Sequence, residues 1–460
     1  MIYEHGTLIT MDTQRRVITD GALAVRDGRF VAIDKASALR ERFPTEPRTD
    51  LRGRTVTPGL INTHVHLAQA MIRGCADDLE LLDWLGKRVW VLQGNYTEED
   101  GRASAELCIL EMLKSGTTAF VESMLAERYG FEGIANVVIR SGIRAALSKI
   151  VMDMGTYATK DNWMHPGMVE DRDTSINNTL AMYEKWNGAG DGRLAVWFGP
   201  RTPGGVTPEL YREISGLARE RNMGITMHLA EVQADRAYLR ERYGKSPAEF
   251  VEDVGLVGPN VLLVHTVWMD ANDIRILAHT STNVAHNPVS NAKLASGIAP
   301  IAEMLAAGVN VTLGTDGGPS NNTYDLVRDM RWASYLQKAR TLDPKVTPAE
   351  AVLEMATIRG ARALGWEKEI GSLEVGKQAD FVVFDLDKPH LTPHRDVAST
   401  LVYAATGADV DTVVIGGKVV VQNRQVLTLD EERVLREAKE RAEAVWKRAG
   451  VEHRPHWPVL

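Results

Sequence analysis

Residues 61–73 read INTHVHLAQAMIR and place His64 and His66 one residue apart, directly after the turn-like TPG of residues 57–59. In a β-strand, residues two apart point to the same face, so a strand here aims both imidazoles one way and Val65 the other. The pattern that follows repeats: GTTAFVES comes after the amphipathic RASAELCILEMLKSG, IRAALSKIVMD after GIANVVIRSG, and LAVWFGP after TLAMYEKWN. Further on, ITMHLA follows PELYREISGLARERNM, VLLVHT follows SPAEFVEDVG, TNVAHNP follows MDANDIRILAH, and VNVTLGTDGG follows IAPIAEMLAAG. With the first stretch these make eight candidate strands separated by helices, which suit a closed (β/α)8 TIM barrel better than an open sheet.

The two chain ends are different in character. GTLITMD, then GALAVRDGRFVAI with its central Asp-Gly, then TDLRGRTVTPG read as short strands and a hairpin. The same character returns in GSLEVGKQADFVVFDLD and ADVDTVVIGGKVVVQNRQV. The ends are therefore expected to pair in space as a small β-sandwich-like domain, residues 1–56 with 364–428, around a barrel of residues 57–363. Residues 429–460 form a charged amphipathic helix and tail, expected on the outside of the fold.

Composition narrows the function. The 460 residues are 44% hydrophobic with a net charge of -8, and no basic run exceeds short groups such as Arg15-Arg16, which argues against a nucleic-acid or anionic-membrane surface. Cys75 and Cys108 are the only cysteines, so no disulfide framework is indicated. The opening MIYEHGTLITMD mixes charge into its apolar run, unlike a secretory signal, and no apolar stretch reaches the roughly 18–20 residues of a membrane span. The expected setting is cytoplasmic, with a small heterocyclic substrate, no nucleic-acid or membrane partner, and a homo-oligomeric assembly, dimer or tetramer.

The unusual polar residues fall at the C-terminal ends of the candidate strands. His64 and His66 end the first, His228 ends ITMH, His265 ends VLLVH, and Asp316 follows VTLGT. Barrels build active sites on that face, and imidazoles with one carboxylate suit a divalent transition metal, zinc or iron rather than magnesium. Glu231, three residues beyond His228, is either a first-turn carboxylate favoured by the helix dipole or a proton carrier beside a metal-bound water. His265 is either a catalytic group that hydrogen-bonds the attacked oxygen or the water, or a direct ligand.

The set GLINTHVHLAQAMIRG, HLAE, VLLVHT, HNPVSNAKLASGIAP and GTDGGPSNN resembles the amidohydrolase superfamily. The likeness lies with its aminohydrolase branch of S-adenosylhomocysteine and methylthioadenosine deaminases, guanine deaminases and s-triazine hydrolases, and it spans essentially the whole chain. It implies that His64, His66, His228 and Asp316 bind one metal, that Glu231 shuttles protons, that His265 stabilises the addition intermediate, and that Asp316 helps to deprotonate the water. Two-metal members carry a carboxylated lysine at a mid-barrel strand end. LAVWFGP has none, and Lys149 belongs to the third strand, so a mononuclear site is expected, with zinc or ferrous iron.

The expected reaction follows from these parts. A metal lowers the pKa of bound water enough to supply hydroxide near neutrality. Hydroxide adds to an electron-poor ring carbon bearing an amino group, and a proton from Glu231 lets that group leave as ammonia. The substrate is then an amino-substituted purine, pterin, pyrimidine or s-triazine. Alternatives are an s-triazine hydrolase expelling chloride or alkylamine, a deaminase of S-adenosylhomocysteine or methylthioadenosine, and a non-enzymatic scaffold, the last with little support because every expected polar group is present. For substrate contacts the sequence offers Trp84, within a 76–90 segment that is either a packed helix or a lid, together with Glu122, Arg201 and Asn291. Arg201 stands near where adenosine-directed relatives place a histidine, and its fixed charge favours a carbonyl, carboxylate or phosphate. Glu122 would add an acceptor, and Asn287 and Asn291 either make polar contacts or shape the HNPVSN turn.

Overall fold

A computed structural model describes residues 1–155, 164–452 and 457. The last part of the expected C-terminal tail lies mostly outside the described residues. Eight parallel strands form the middle of the chain: β1 (Leu60–His66), β2 (Thr117–Leu125), β3 (Arg144–Val151), β4 (Leu194–Pro200), β5 (Ile225–Leu229), β6 (Val261–His265), β7 (Asn283–His286) and β8 (Asn310–Leu313). Each pairs with the next in chain order. Just beyond β8 the short segment Asp316–Gly317 pairs in parallel with β1, matching Asp316 to Val65 and Gly317 to His66. The first and last strands thereby meet, and the sheet curls into the expected barrel.

Strand alternation divides the apolar residues into two layers. Ile61, Val121, Ala146, Leu262, Val264 and Ala285 belong to one buried cluster drawn from strands around the ring. Val261 and Leu263 belong instead to the larger cluster that includes the surrounding helices. The barrel is thus filled by side chains at its base, leaving the strand C-termini free to carry polar groups.

The chain ends do pair with each other. They form a nine-stranded mixed sheet in which Phe381–Asp385 lies antiparallel to Arg54–Pro58, which in turn runs parallel to Ile2–Ile9. The small unit is one continuous hydrogen-bonded sheet. Phe381 and Val383 pack into its own core with Tyr3, Leu8 and Phe30, while Val382 and Phe384 face the barrel-side cluster. A buried ion pair, Arg144 Nε to Asp380 Oδ2 at 2.6 Å, ties β3 to this sheet. The helix Glu431–Ala449 lies along Glu98–Lys114, joined by Arg433–Glu106 at 2.9 Å and Lys114–Glu431 at 2.6 Å. No helix among the described residues is long and apolar enough to cross a membrane.

Removing one partner of the buried pair strands a charge, so Arg144→Ala should destabilise the fold by about 3–5 kcal/mol in urea unfolding. The double variant Arg144→Leu with Asp380→Leu should recover most of that loss; equal stability of Arg144→Ala and wild type would show that the pair does not hold the two units together.

Candidate metal centre and active site

The strand ends bring the five polar residues to one place. His66 Nε2 lies 3.2 Å and His64 Nε2 3.4 Å from Asp316 Oδ1, and His228 Nε2 lies 3.3 Å from His66 Nε2. The ligand atoms of His64, His66 and Asp316 form one group, and those of His64, His228 and His265 a second, and within each group the atoms all lie within 4.8 Å of one another. His64 is fully buried, and neither of its ring nitrogens has a hydrogen-bond partner among the described residues. Orphaned imidazole nitrogens are costly in a dry interior. Here they face other nitrogens and a carboxylate, the donor set of a borderline divalent cation, so these residues fit a metal.

The electrostatics agree. Burial depresses the His64 pKa to about 4 and that of His228 well below its ordinary value, so both imidazoles are neutral with lone pairs available. Burial acts to raise Asp316, but its contacts with His64 and His66 prevail and hold it well below the usual carboxylate range. Asp316 is also held by Ser290 Oγ at 2.6 Å and by the Gly317 amide at 2.8 Å. His265 and Asp316 both adopt positive φ, 69° and 67°, a conformation uncommon for side-chain-bearing residues.

Glu231 follows β5 and lines the cavity, its Oε2 3.6 Å from His265 Nε2. Burial raises its pKa to about 7. His265 Nδ1 meets Asn291 Oδ1 at 2.9 Å; with the Asn287 amide turned to donate to the His286 and Gly314 carbonyls, Asn287 Oδ1 accepts from the same nitrogen at 3.2 Å. Two acceptors around Nδ1 place the proton of neutral His265 there and leave Nε2 facing Glu231 and Asp316.

The cavity above these groups encloses about 680 Å³, part of it open to solvent. Of the four residues expected at the substrate, Trp84 and Arg201 line it, whereas Glu122 and Asn291 stand behind the lining. Glu122, on β2, accepts the Leu67 amide at 2.6 Å, and Asn291 supports His265. The 76–90 segment is a broken helix, Leu81–Trp84, a π-helical turn Leu85–Val89 and Trp90–Gln93, that walls the cavity with Leu81, Trp84, Leu85 and Trp90. Arg201 sits 5.3 Å from the Trp90 ring, a cation–π contact. Lys149, buried on β3, pairs with Glu170 at 2.6 Å.

Several lining residues carried no separate sequence signal, among them Met124, Tyr129 and Met168. Gln69 was legible in principle. It lies three residues beyond His66 in a 3-10 turn, Leu67–Ile72, where residues three apart share a face. Its Oε1 is buried without a hydrogen-bond partner among the described residues, and it touches Gly317 so closely that a Cβ there would lie 1.8 Å away.

Comparison with known proteins agrees with this geometry. Residues 55–420 match the amidohydrolase family, and residues 21–45 match the bacterial imidazolonepropionase-like composite domain. The chain is 40% identical over 449 residues to a 5'-deoxyadenosine deaminase of Methanosarcina acetivorans, covering 98% of this chain and 99% of that one. It is 39% identical over 442 residues to a 5-methylthioadenosine/S-adenosylhomocysteine deaminase of Pelotomaculum thermopropionicum, covering 96% and 98%. The crystal structure of an adenosine deaminase from Xanthomonas campestris with bound zinc matches with a TM-score of 0.90 at 30% identity, covering 97% of this chain and 98% of that one. The chain belongs to the amidohydrolase family. With its metal-binding side-chain clusters it is a metal-dependent hydrolase acting on carbon–nitrogen bonds.

Burial pushes Glu122 up to about 8, above the 4.5 of a free glutamate. A carboxyl that binds its proton more tightly when folded stabilises fully below about pH 4.5, and this contribution is lost as pH rises through about 8. Melting curves of the metal-free protein should therefore show stability falling between these limits more steeply in wild type than in Glu122→Gln, which cannot ionise. Parallel pH profiles would show that Glu122 does not titrate this way.

Proposed function

We propose that the chain is a mononuclear zinc hydrolase that deaminates an adenine-type nucleoside altered at its 5' position. The observation that carries this reading is the cluster of His64, His66, His228 and Asp316, with both ring nitrogens of His64 lacking a hydrogen-bond partner among the described residues and Glu231 lining the same cavity. Its similarity to 5'-deoxyadenosine and 5-methylthioadenosine/S-adenosylhomocysteine deaminases over nearly the full chain supports this substrate class. A single metal is supported by Lys149, whose ammonium is engaged by Glu170.

In this reading His64, His66, His228 and Asp316 hold the metal, which supplies a Lewis acid and a water of lowered pKa. Glu231, with its pKa near neutrality, takes a proton from the attacking water and delivers it to the departing nitrogen. His265, kept in one orientation by Asn291 and Asn287, presents an unprotonated Nε2 toward the site, where it would accept a hydrogen bond from the attacking water and hold it in place. Trp84, Leu81 and Leu85 exclude water from the ring, and Arg201 receives a polar substituent at the cavity wall. Glu122 and Asn291 act through the residues they hold and do not touch substrate.

The test is ammonia release from 5'-deoxyadenosine, methylthioadenosine and S-adenosylhomocysteine, set beside guanine, a pterin and chloro- and alkylamino-triazines. Glu231→Gln should retain about one zinc per chain yet lose roughly 100-fold or more in turnover, as general acid–base transfer is lost. His64→Ala should lose metal and activity together. Zinc loss in Glu231→Gln would make that residue a ligand, and chloride or alkylamine release without ammonia would favour triazine hydrolysis.

A further inference from the structure

The peptide that joins His66 to Leu67 is gripped at both polar atoms by buried side chains from distant parts of the chain. Its carbonyl, His66 O, accepts from Tyr324 Oη at 2.9 Å, and its amide, Leu67 N, donates to Glu122 Oε2 at 2.6 Å. The next carbonyl, Leu67 O, accepts from Ser104 Oγ at 2.7 Å. Tyr324 has no exposed surface and Glu122 is 1% exposed, so neither group can exchange its partner for water.

The tyrosine does more than hold one carbonyl. Its hydroxyl also accepts from the Gly318 amide at 2.9 Å, two residues beyond Asp316. One oxygen thus bridges the backbone next to His66 and the backbone next to Asp316. Its own main chain is fixed in turn, because Tyr324 N donates to Glu111 Oε1 at 2.8 Å on the helix Glu98–Lys114 that also carries Ser104. Gly318 allows the approach: a Cβ there would lie 2.5 Å from Gln69 O.

From this geometry we infer that Tyr324 and Glu122 are positioning residues that hold the His66–Leu67 peptide, and through it the His66 imidazole, at metal-binding distance from Asp316. The inference rests on His66 and Asp316 being metal ligands. Groups behind a metal's ligands orient them, and their loss costs about 10–100-fold in metal affinity. A side chain that merely fills the core would change folding stability and leave the affinity of the folded protein unchanged.

The experiment measures zinc affinity of the folded protein by competition with a chromophoric chelator, beside thermal unfolding of the metal-free form. Tyr324→Phe deletes only the hydroxyl and should weaken zinc binding about 10-fold or more. Glu122→Leu should do the same, while Glu122→Gln, whose amide oxygen still accepts from Leu67, should stay near wild type. Should Tyr324→Phe fail to fold, the Glu122 pair decides. Zinc affinity equal to wild type in folded Tyr324→Phe and Glu122→Leu, or an equal loss in Glu122→Gln and Glu122→Leu, overturns the inference while the metal assignment stands. A folded wild type that binds no zinc overturns the metal assignment and this inference with it.

Discussion

Barrel closure is the constraint on which the site depends. His64 and His66 lie on the first strand and Asp316 beyond the eighth, some 250 residues apart, and they meet only because Asp316–Gly317 pairs with Val65–His66. The closure is reinforced away from the backbone: Asn62 and Thr315 exchange two hydrogen bonds at 2.8 and 3.0 Å, and Thr63 Oγ1 reaches the Leu313 carbonyl at 2.8 Å. A seam built from paired polar side chains in a buried place has a defined register, since any slip leaves several of them unsatisfied. The ligand geometry inherits that register. Strand β1 is irregular in its pairing with β2 between Asn62 and Val65, within the stretch that carries His64, which suits a strand whose end must present side chains toward the mouth.

Desolvation is the second consequence of this architecture. A closed barrel filled by aliphatic residues at its base leaves His64, Glu231, His265 and Asp316 at the rim buried as well, with His66 and His228 partly buried. The same burial that keeps His64 and His228 neutral raises Glu231 to about 7. One physical cause therefore prepares electron-pair donors for a cation and a carboxyl able to move a proton near neutral pH. Cooperation of this kind needs no special residue types, only placement at depth.

Much of this was legible in the sequence. The barrel was readable because its strands are short apolar runs separated by helical stretches, and the metal-binding constellation because His and Asp at strand ends break an otherwise apolar pattern. The pairing of the chain ends followed from their shared β character. Glu122 shows where such reading stops. Its position at the end of GTTAFVE placed it near the mouth, but whether a side chain faces the cavity or the neighbouring strand depends on local bulges, and here it turns to the Leu67 amide. Asn291 is similar, since a six-residue helix, Pro288–Lys293, turns it toward His265. Tyr324 gave no signal at all, because its partners are two backbone groups that only the folded chain brings together.

The division of labour between strands and loops bears on selectivity. Groups assigned to the chemistry stand at the ends of β1, β5, β6 and β8, where the barrel fixes them. The cavity walls come largely from the segment after β1, whose helix is broken by a π-helical turn, and from Arg201 after β4. Segments of this type can change sequence without disturbing the closure seam, so a single metal-binding scaffold accommodates different rings by altering its walls. In this chain the wall combines indole surfaces, Trp84 and Trp90, with the guanidinium of Arg201 in cation–π contact with the second of them. In the proposed reading, a flat ring lies against the aromatic face with an acceptor directed at Arg201.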